Sequence, residues 1–112
     1  MAVVRAAARR GHVYLVQLDP TLGSEITTTH PCVVVSPDEH NAHLRTVIVT
    51  PLRTGGRPYP WLPSCSFQNR PGSVALDELQ TVDTERLVKS LGRMDYETVA
   101  TILHRLQEMF GE

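Results

Sequence analysis

The chain has 112 residues, 41% hydrophobic and 21% charged, with a formal net charge of −1 at pH 7. That length suits a single domain with its own core, and the composition is that of an ordinary globular chain and does not suggest disorder. The charge excludes capture of nucleic acid by a global positive field. Any such role must rest on a local patch, drawn from Arg5, Arg9, Arg10, Arg53, Arg57 and Arg70. No stretch approaches the roughly 18 apolar residues of a membrane span. The N-terminal residues lack the apolar segment of a signal peptide, so the expected compartment is the cytoplasm, with no membrane partner. Cys32 and Cys65 stand too far apart for a zinc signature, and their spacing leaves a single disulfide open.

The organisation expected is one domain over residues 1–112, with 1–9 a flexible extension. Residues 13–18 alternate as a strand, Tyr14 and Val16 on one face, Val13, Leu15 and Leu18 mostly on the other. They run into Asp19-Pro20-Thr21-Leu22-Gly23, a turn cluster in which proline sets φ and glycine permits a positive one. The threonine-rich residues 24–30 have no helical period and read as a loop or the arms of a loose hairpin. Residues 32–36 form an apolar, valine-rich run and predict a strand buried on both faces. Residues 37–41 predict a turn or a single helical turn. Residues 45–52 predict a second buried strand centred on Val47, Ile48 and Val49.

Arg53-Thr54-Gly55-Gly56-Arg57-Pro58 then breaks structure. Residues 59–67 follow that proline and carry Pro60 and Pro63, so they predict an edge or irregular strand. A short strand is expected at 73–76, followed by the acidic pair Asp77 and Glu78, and a final strand at 87–94. The last element is a helix capped by Asp95. Its apolar residues Val99, Ile102, Leu103, Leu106, Met109 and Phe110 follow the 3.6-residue period, and Gly111 ends it. Short strands with turns between them and one amphipathic helix describe a mainly β fold with helices, a small barrel or roll with a helix packed on it.

Two blocks carry a resemblance. Arg10-Gly11-His12-Val13-Tyr14-Leu15-Val16-Gln17-Leu18-Asp19-Pro20-Thr21-Leu22-Gly23-Ser24-Glu25 is similar to the opening signature of the MazF/PemK family of toxin endoribonucleases. His30-Pro31-Cys32-Val33-Val34-Val35-Ser36-Pro37 is similar to the block that follows it, and Asn41 fits the asparagine found a few residues on. Val49-Thr50-Pro51-Leu52-Arg53-Thr54 with Tyr59-Pro60, and Gly72-Ser73-Val74-Ala75-Leu76-Asp77 with Thr81-Val82-Asp83, extend the likeness over nearly the whole chain. The resemblance implies an SH3-like barrel of the CcdB/PemK kind that forms a homodimer. It also implies cleavage of single-stranded RNA at short sequences, with no metal and no cofactor. A cognate antitoxin is implied as inhibitor, its extended acidic tail competing for the RNA groove.

Such cleavage uses the RNA's own 2′-hydroxyl as nucleophile. One group must take its proton, another must stabilise the charge that builds on phosphorus, and a third must protonate the departing 5′-oxygen. The resemblance implies an arginine just before the valine strand and a threonine two residues after the proline of the next strand. This sequence departs at both, with His30 at the first position and Arg53, followed by Thr54, at the second. Imidazole titrates near neutrality, at about 6.5 in free histidine, and suits proton transfer. A guanidinium suits phosphate. The expectation is therefore His30 as acid or base, with Arg53 and Thr54 holding the scissile phosphate.

Expected RNA contacts are Ser24, Glu25, Thr29, Arg57 and Asp77. Glu25 stands where the family has an acidic residue at the groove mouth. Asp77 stands where some members carry a catalytic-side acid, although the arginine accompanying it there is Ala75 here. Ser24, Thr28 and Thr29 offer hydroxyls to exposed bases. Two other readings go with the departures: a weakened or inactive family member, or a barrel toxin that acts by binding a protein target. His40 and His43 lack a third ligand for a metal. For Trp61, core or interface packing is the commoner fate than base stacking.

Overall fold

A computed structural model of the chain describes residues 7–18, 28–55 and 59–112. The elements are β1 (His12–Gln17), β2 (Thr29–Val34), α1 (Asp38–His43), β3 (Thr46–Arg53), β4 (Ser64–Phe67), β5 (Arg70–Val74), β6 (Gln80–Asp83), β7 (Leu87–Arg93) and α2 (Tyr96–Phe110). Short 3₁₀ turns occupy Leu76–Glu78 and Thr84–Arg86. The strands form one antiparallel sheet in the order β4-β5-β3-β2-β1-β7, with β6 also paired to β3. The sheet curls into the SH3-like half-barrel expected from the sequence, and α2 packs on it.

The valine runs build the core on both faces of the sheet. Val16, Cys32, Val34, Val47, Val49 and Val82 pack together on one side, joined by Ala8. Val13, Val33, Val35, Val74, Leu76, Met94 and Ile102 pack on the other, under Val99, Leu103, Leu106 and Met109 of α2. Residues 32–36 are all buried, so successive side chains of one run serve opposite cores, as a period of two requires.

Local chemistry explains how α2 is set. Asp95 accepts hydrogen bonds from the Thr98 backbone N–H at 3.0 Å and the Thr98 hydroxyl at 2.7 Å. These bonds hold its carboxyl below the usual range, because they favour the charged form. Gly11 lets the helix approach: its φ is +89°, and a Cβ there would lie 3.1 Å from the Val99 side chain. Its N–H donates to the Val34 carbonyl and its carbonyl accepts from the Met94 N–H, each at 2.8 Å.

Several boundaries differ from the sequence reading. β2 begins at Thr29, inside the stretch read as loop, because β1 supplies a register for polar residues: Gln17 pairs with Thr29 and Val16 with His30. It ends at Val34, and the Val35 and Ser36 N–H groups both turn to the Ile48 carbonyl, at 2.9 and 3.4 Å. Of residues 59–67 only Ser64–Phe67 is a strand, and it turns into β5 through Gln68 and Asn69. Both have positive φ, the two-residue geometry whose twist matches a hairpin. The short strand expected at 73–76 is Arg70–Val74. β6 was not anticipated, since Gln80-Thr81-Val82-Asp83 carries a single apolar residue. Phe110, expected on the packed face of α2, is 70% exposed.

Leu76 opens the turn between β5 and β6 and is fully buried, its N–H donating to the Trp61 carbonyl at 3.0 Å. Leu76→Ala is expected to cost about 3 kcal/mol of stability, from lost burial plus the cavity left behind. Urea unfolding of the purified variant measures it.

Candidate active site

The site forms where β2 begins and β3 ends. Cys32 pairs with Pro51, and the side chains of His30 and Arg53, each two residues along, project from that same face of the sheet. The antiparallel register carries His30 toward Arg53 at the open end of the two strands. His30 is half-buried and belongs to β2, so its backbone is fixed by pairing with Val16. The Cys32 thiol adds a second tie, donating to the His30 carbonyl at 3.6 Å.

The end of β3 is held by a close backbone approach. Gly72 lies against Arg53 so tightly that a Cβ at position 72 would overlap the Arg53 carbonyl oxygen. Ser73 pairs with Arg53 and donates its hydroxyl to the Gly55 carbonyl at 3.0 Å, which fixes the turn carrying Thr54. Arg53 itself makes a bidentate ion pair with Glu78. Its Nε donates to Glu78 Oε2 at 3.2 Å and its Nη2 donates to Oε1. The two side chains are 42% and 43% exposed, so the pair contributes only about 0–1 kcal/mol to stability. Its hydrogen bond raises the guanidinium's already high pKa, and the nearby Asp77 charge adds to that.

On the opposite face of the sheet from His30, the side on which α2 packs, opens an apolar cleft of about 160 Å³, floored by Leu15, Pro31, Leu52, Phe67 and Leu91. Arg53, Thr54, Gln68 and Arg70 stand around it. A slot with apolar walls and donors beside it is suited to a flat, partly polar group next to an anion.

By register His30 and Arg53 lie on one face near the ends of β2 and β3, and Thr54 follows Arg53 on the turn beyond β3. Thr29 is next to His30 on β2, and Asp77 is exposed on the turn beside Glu78. Ser24, Glu25 and Arg57 lie outside the described residues. Arg9 and Arg10, counted among the basic candidates, are at the far end of the sheet. Arg9 pairs with Asp38 at 3.3 Å, and Arg10 Nε donates to the Val35 carbonyl at 2.8 Å. No group of three or more potential metal ligands occurs among the described residues. His40 and His43 contact the Thr46 and Glu39 carbonyls, at 3.1 and 2.8 Å. Trp61 packs against the core under α2. Asn41 is buried and donates to the Ser36 carbonyl at 3.0 Å, anchoring α1 to the sheet.

Sequence reasoning missed Glu78, Gly72 and Gln68. The acidic pair at 77 and 78 was visible, but a 3₁₀ turn has no simple period from which to tell which carboxylate faces β3. The signal for Gly72 was a glycine inside a strand, which marks close backbone approach, although the sequence put the start of that strand one residue later.

A curled SH3-like half-barrel sheet with a C-terminal helix packed on it defines the class of fold. The chain belongs to the PemK-like, MazF-like toxins of type II toxin–antitoxin systems, whose family pattern matches residues 9–110. It is 30% identical over 104 residues to endoribonuclease MazF9 of Mycobacterium tuberculosis, covering 84% of this chain and 88% of that one. It is 43% identical to endoribonuclease PemK of Escherichia coli over 47 residues, which spans 42% of this chain and only 35% of PemK. A mycobacterial endoribonuclease solved in complex with its cognate antitoxin superimposes with a TM-score of 0.78. It is 25% identical, covering 91% of this chain and 93% of that one.

Both cysteines are free thiols. Burial pushes Cys32 up to about 12, the Arg53 charge lowering it and the Glu78 charge raising it again. Cys32 is therefore protonated at neutral pH, as its donation to His30 requires. Iodoacetamide at pH 8 is expected to leave Cys32 unmodified in the folded protein and to label it after denaturation, as read by peptide mass mapping. Labelling of Cys32 in the native state would show that this strand end opens.

Proposed function

We propose that the chain is an endoribonuclease that cuts single-stranded RNA by attack of the 2′-hydroxyl on the adjacent phosphorus. The observation carrying this reading is the placement of His30 and Arg53 on one face at neighbouring strand ends, in a chain of this toxin family. The 2′-oxygen forms a bond to phosphorus as the bond to the 5′-oxygen breaks, giving a 2′,3′-cyclic phosphate and a free 5′-hydroxyl. His30 serves as acid or base, taking the 2′-proton or supplying one to the departing oxygen. Arg53 offsets the charge that develops on the phosphoryl oxygens, and Thr54 donates a hydroxyl hydrogen bond to the same group. His30 covers one of the two proton transfers and Arg53 with Thr54 the developing charge, while solvent water exchanges the other proton, a set of roles that needs no metal.

RNA passing over the end of β3 would reach the cleft on the other face with a neighbouring base, Arg70 at its rim holding a flanking phosphate, and Arg57 would hold another. Thr29, Ser24, Glu25 and Asp77 would contribute to the choice of sequence. We further propose a homodimer acting in the cytoplasm. The exposed Tyr96 and Phe110 of α2 and Val88 of β7 are apolar surface of the sort a second copy covers. A cognate antitoxin would inhibit through an extended acidic tail drawn to the same arginines.

Incubating the protein with long single-stranded RNA plus chelator, then mapping 5′ ends, tests the reading. Cleavage at a short recurrent sequence is expected, and absence of cleavage by folded protein would overturn it. His30→Ala should lower kcat by about 10²–10⁴-fold. Arg53→Ala should lower it by about 10²–10³-fold. An acidic antitoxin peptide should raise the apparent KM for RNA; simultaneous binding without mutual effect would rule out a shared groove.

A further inference from the structure

Strand register places the Arg53 cation at the proposed cleavage site, yet its guanidinium already holds a carboxylate. Two outcomes are open to such a pair: the carboxylate competes with phosphate, or it aims the guanidinium at phosphate. The donor inventory decides between them. A guanidinium carries five N–H groups, and Glu78 takes Nε–H and one Nη2–H along a single edge. The remaining Nη2–H and both Nη1–H groups have no protein partner among the described residues. Two of them form the end edge, which matches two phosphoryl oxygens in the same fork geometry.

Glu78 is also on a rigid base. Its N–H donates to the Ala75 carbonyl at 3.1 Å. The turn it sits on is pinned by fully buried Leu76 and by the Ala75 N–H, which donates to the Pro51 carbonyl at 2.9 Å. The base of Arg53 is fixed in turn by Gly72 and Ser73. Both ends of the ion pair are therefore anchored in backbone, and a long side chain is restricted to one direction.

We propose that Glu78 is a positioning residue for Arg53: it grips the side edge of the guanidinium and turns the end edge toward the scissile phosphate of single-stranded RNA. This rests on the reading of the site as an RNA-cleaving one. Glu78 touches no reacting atom and acts through Arg53. Its negative charge also stands near the phosphate, so it weakens binding while improving geometry.

The test compares wild type with Glu78→Gln, each checked for fold by circular dichroism and thermal melting. Losing orientation should reduce kcat about tenfold. KM should stay the same or fall, because a negative charge has been removed. In an Arg53→Ala background, Glu78→Gln should have no further effect on kcat, since nothing remains to position.

Side-chain ¹⁵N spectra of wild type supply a readout independent of turnover. With a 2′-deoxy-substituted RNA oligonucleotide bound, the Arg53 Nε–H should remain protected by Glu78 while the Nη resonances shift. Unchanged or raised kcat in Glu78→Gln, or loss of Nε–H protection on binding, would make Glu78 a competitor and overturn the proposal. If wild type cuts RNA and either result appears, this inference alone fails. If wild type neither binds nor cuts RNA, the underlying reading fails with it.

Discussion

The structure depends on how β3 changes partners at Thr50 and Pro51. Along one edge β3 pairs with β2, but its other edge is divided. Residues 46–49 pair with β6 and residues 52–53 with β5. Between those ladders Thr50 and Pro51 face 75–79, and the surplus chain is taken up in the Leu76–Glu78 turn. Proline lacks an N–H, so it is tolerated where a ladder is interrupted. The polar groups left at the break are satisfied locally: Thr50 donates its hydroxyl to the Ala75 carbonyl, and the Ala75 N–H returns a bond to the Pro51 carbonyl. A flat sheet would keep Arg53 and the acidic turn apart. The break curls the sheet and brings them together.

This arrangement explains how a chain of net charge −1 can offer a phosphate a positive group. Charge density matters locally, within a Debye length of about 10 Å. Arg53 and Arg70 stand around one cleft, while Arg9 and Arg10 are engaged by Asp38 and the Val35 carbonyl at the opposite end of the sheet. The acidic residues at 77 and 78 moderate the field at the site without abolishing it. His30, the proposed proton-transfer group, has its backbone direction set by pairing with β1 rather than by an ion pair.

Much of the fold was legible from short-range pattern. Residues 32–36 and 47–49 declared buried strands because successive side chains in each run are apolar and both faces have a core to fill. α2 was legible from its cap to its last turn, because Asp95, Thr98 and the 3.6-residue spacing are local signals. Phe110 escaped that logic: the spacing places it on the apolar stripe, but the helix there has run past the sheet it packs on. β6 and the first half of β2 were not legible. Gln80-Thr81-Val82-Asp83 and Thr29-His30-Pro31 have little strand character alone and become strands only because β3 and β1 present free edges.

The same division holds for the site. The sequence by itself determined the family, the departures at His30 and Arg53, and the class of chemistry those side chains can perform, since all three follow from residue type and order. Only the tertiary structure decided that His30 and Arg53 share a face, that Glu78 rather than Asp77 grips the guanidinium, and that Gly72 is the seat on which Arg53 rests. Those outcomes depend on strand register and on the curl at Thr50–Pro51. Pairing between segments 20 or more residues apart (as Arg53 and Ser73 are) is fixed by the shared core and not by any local run of residues.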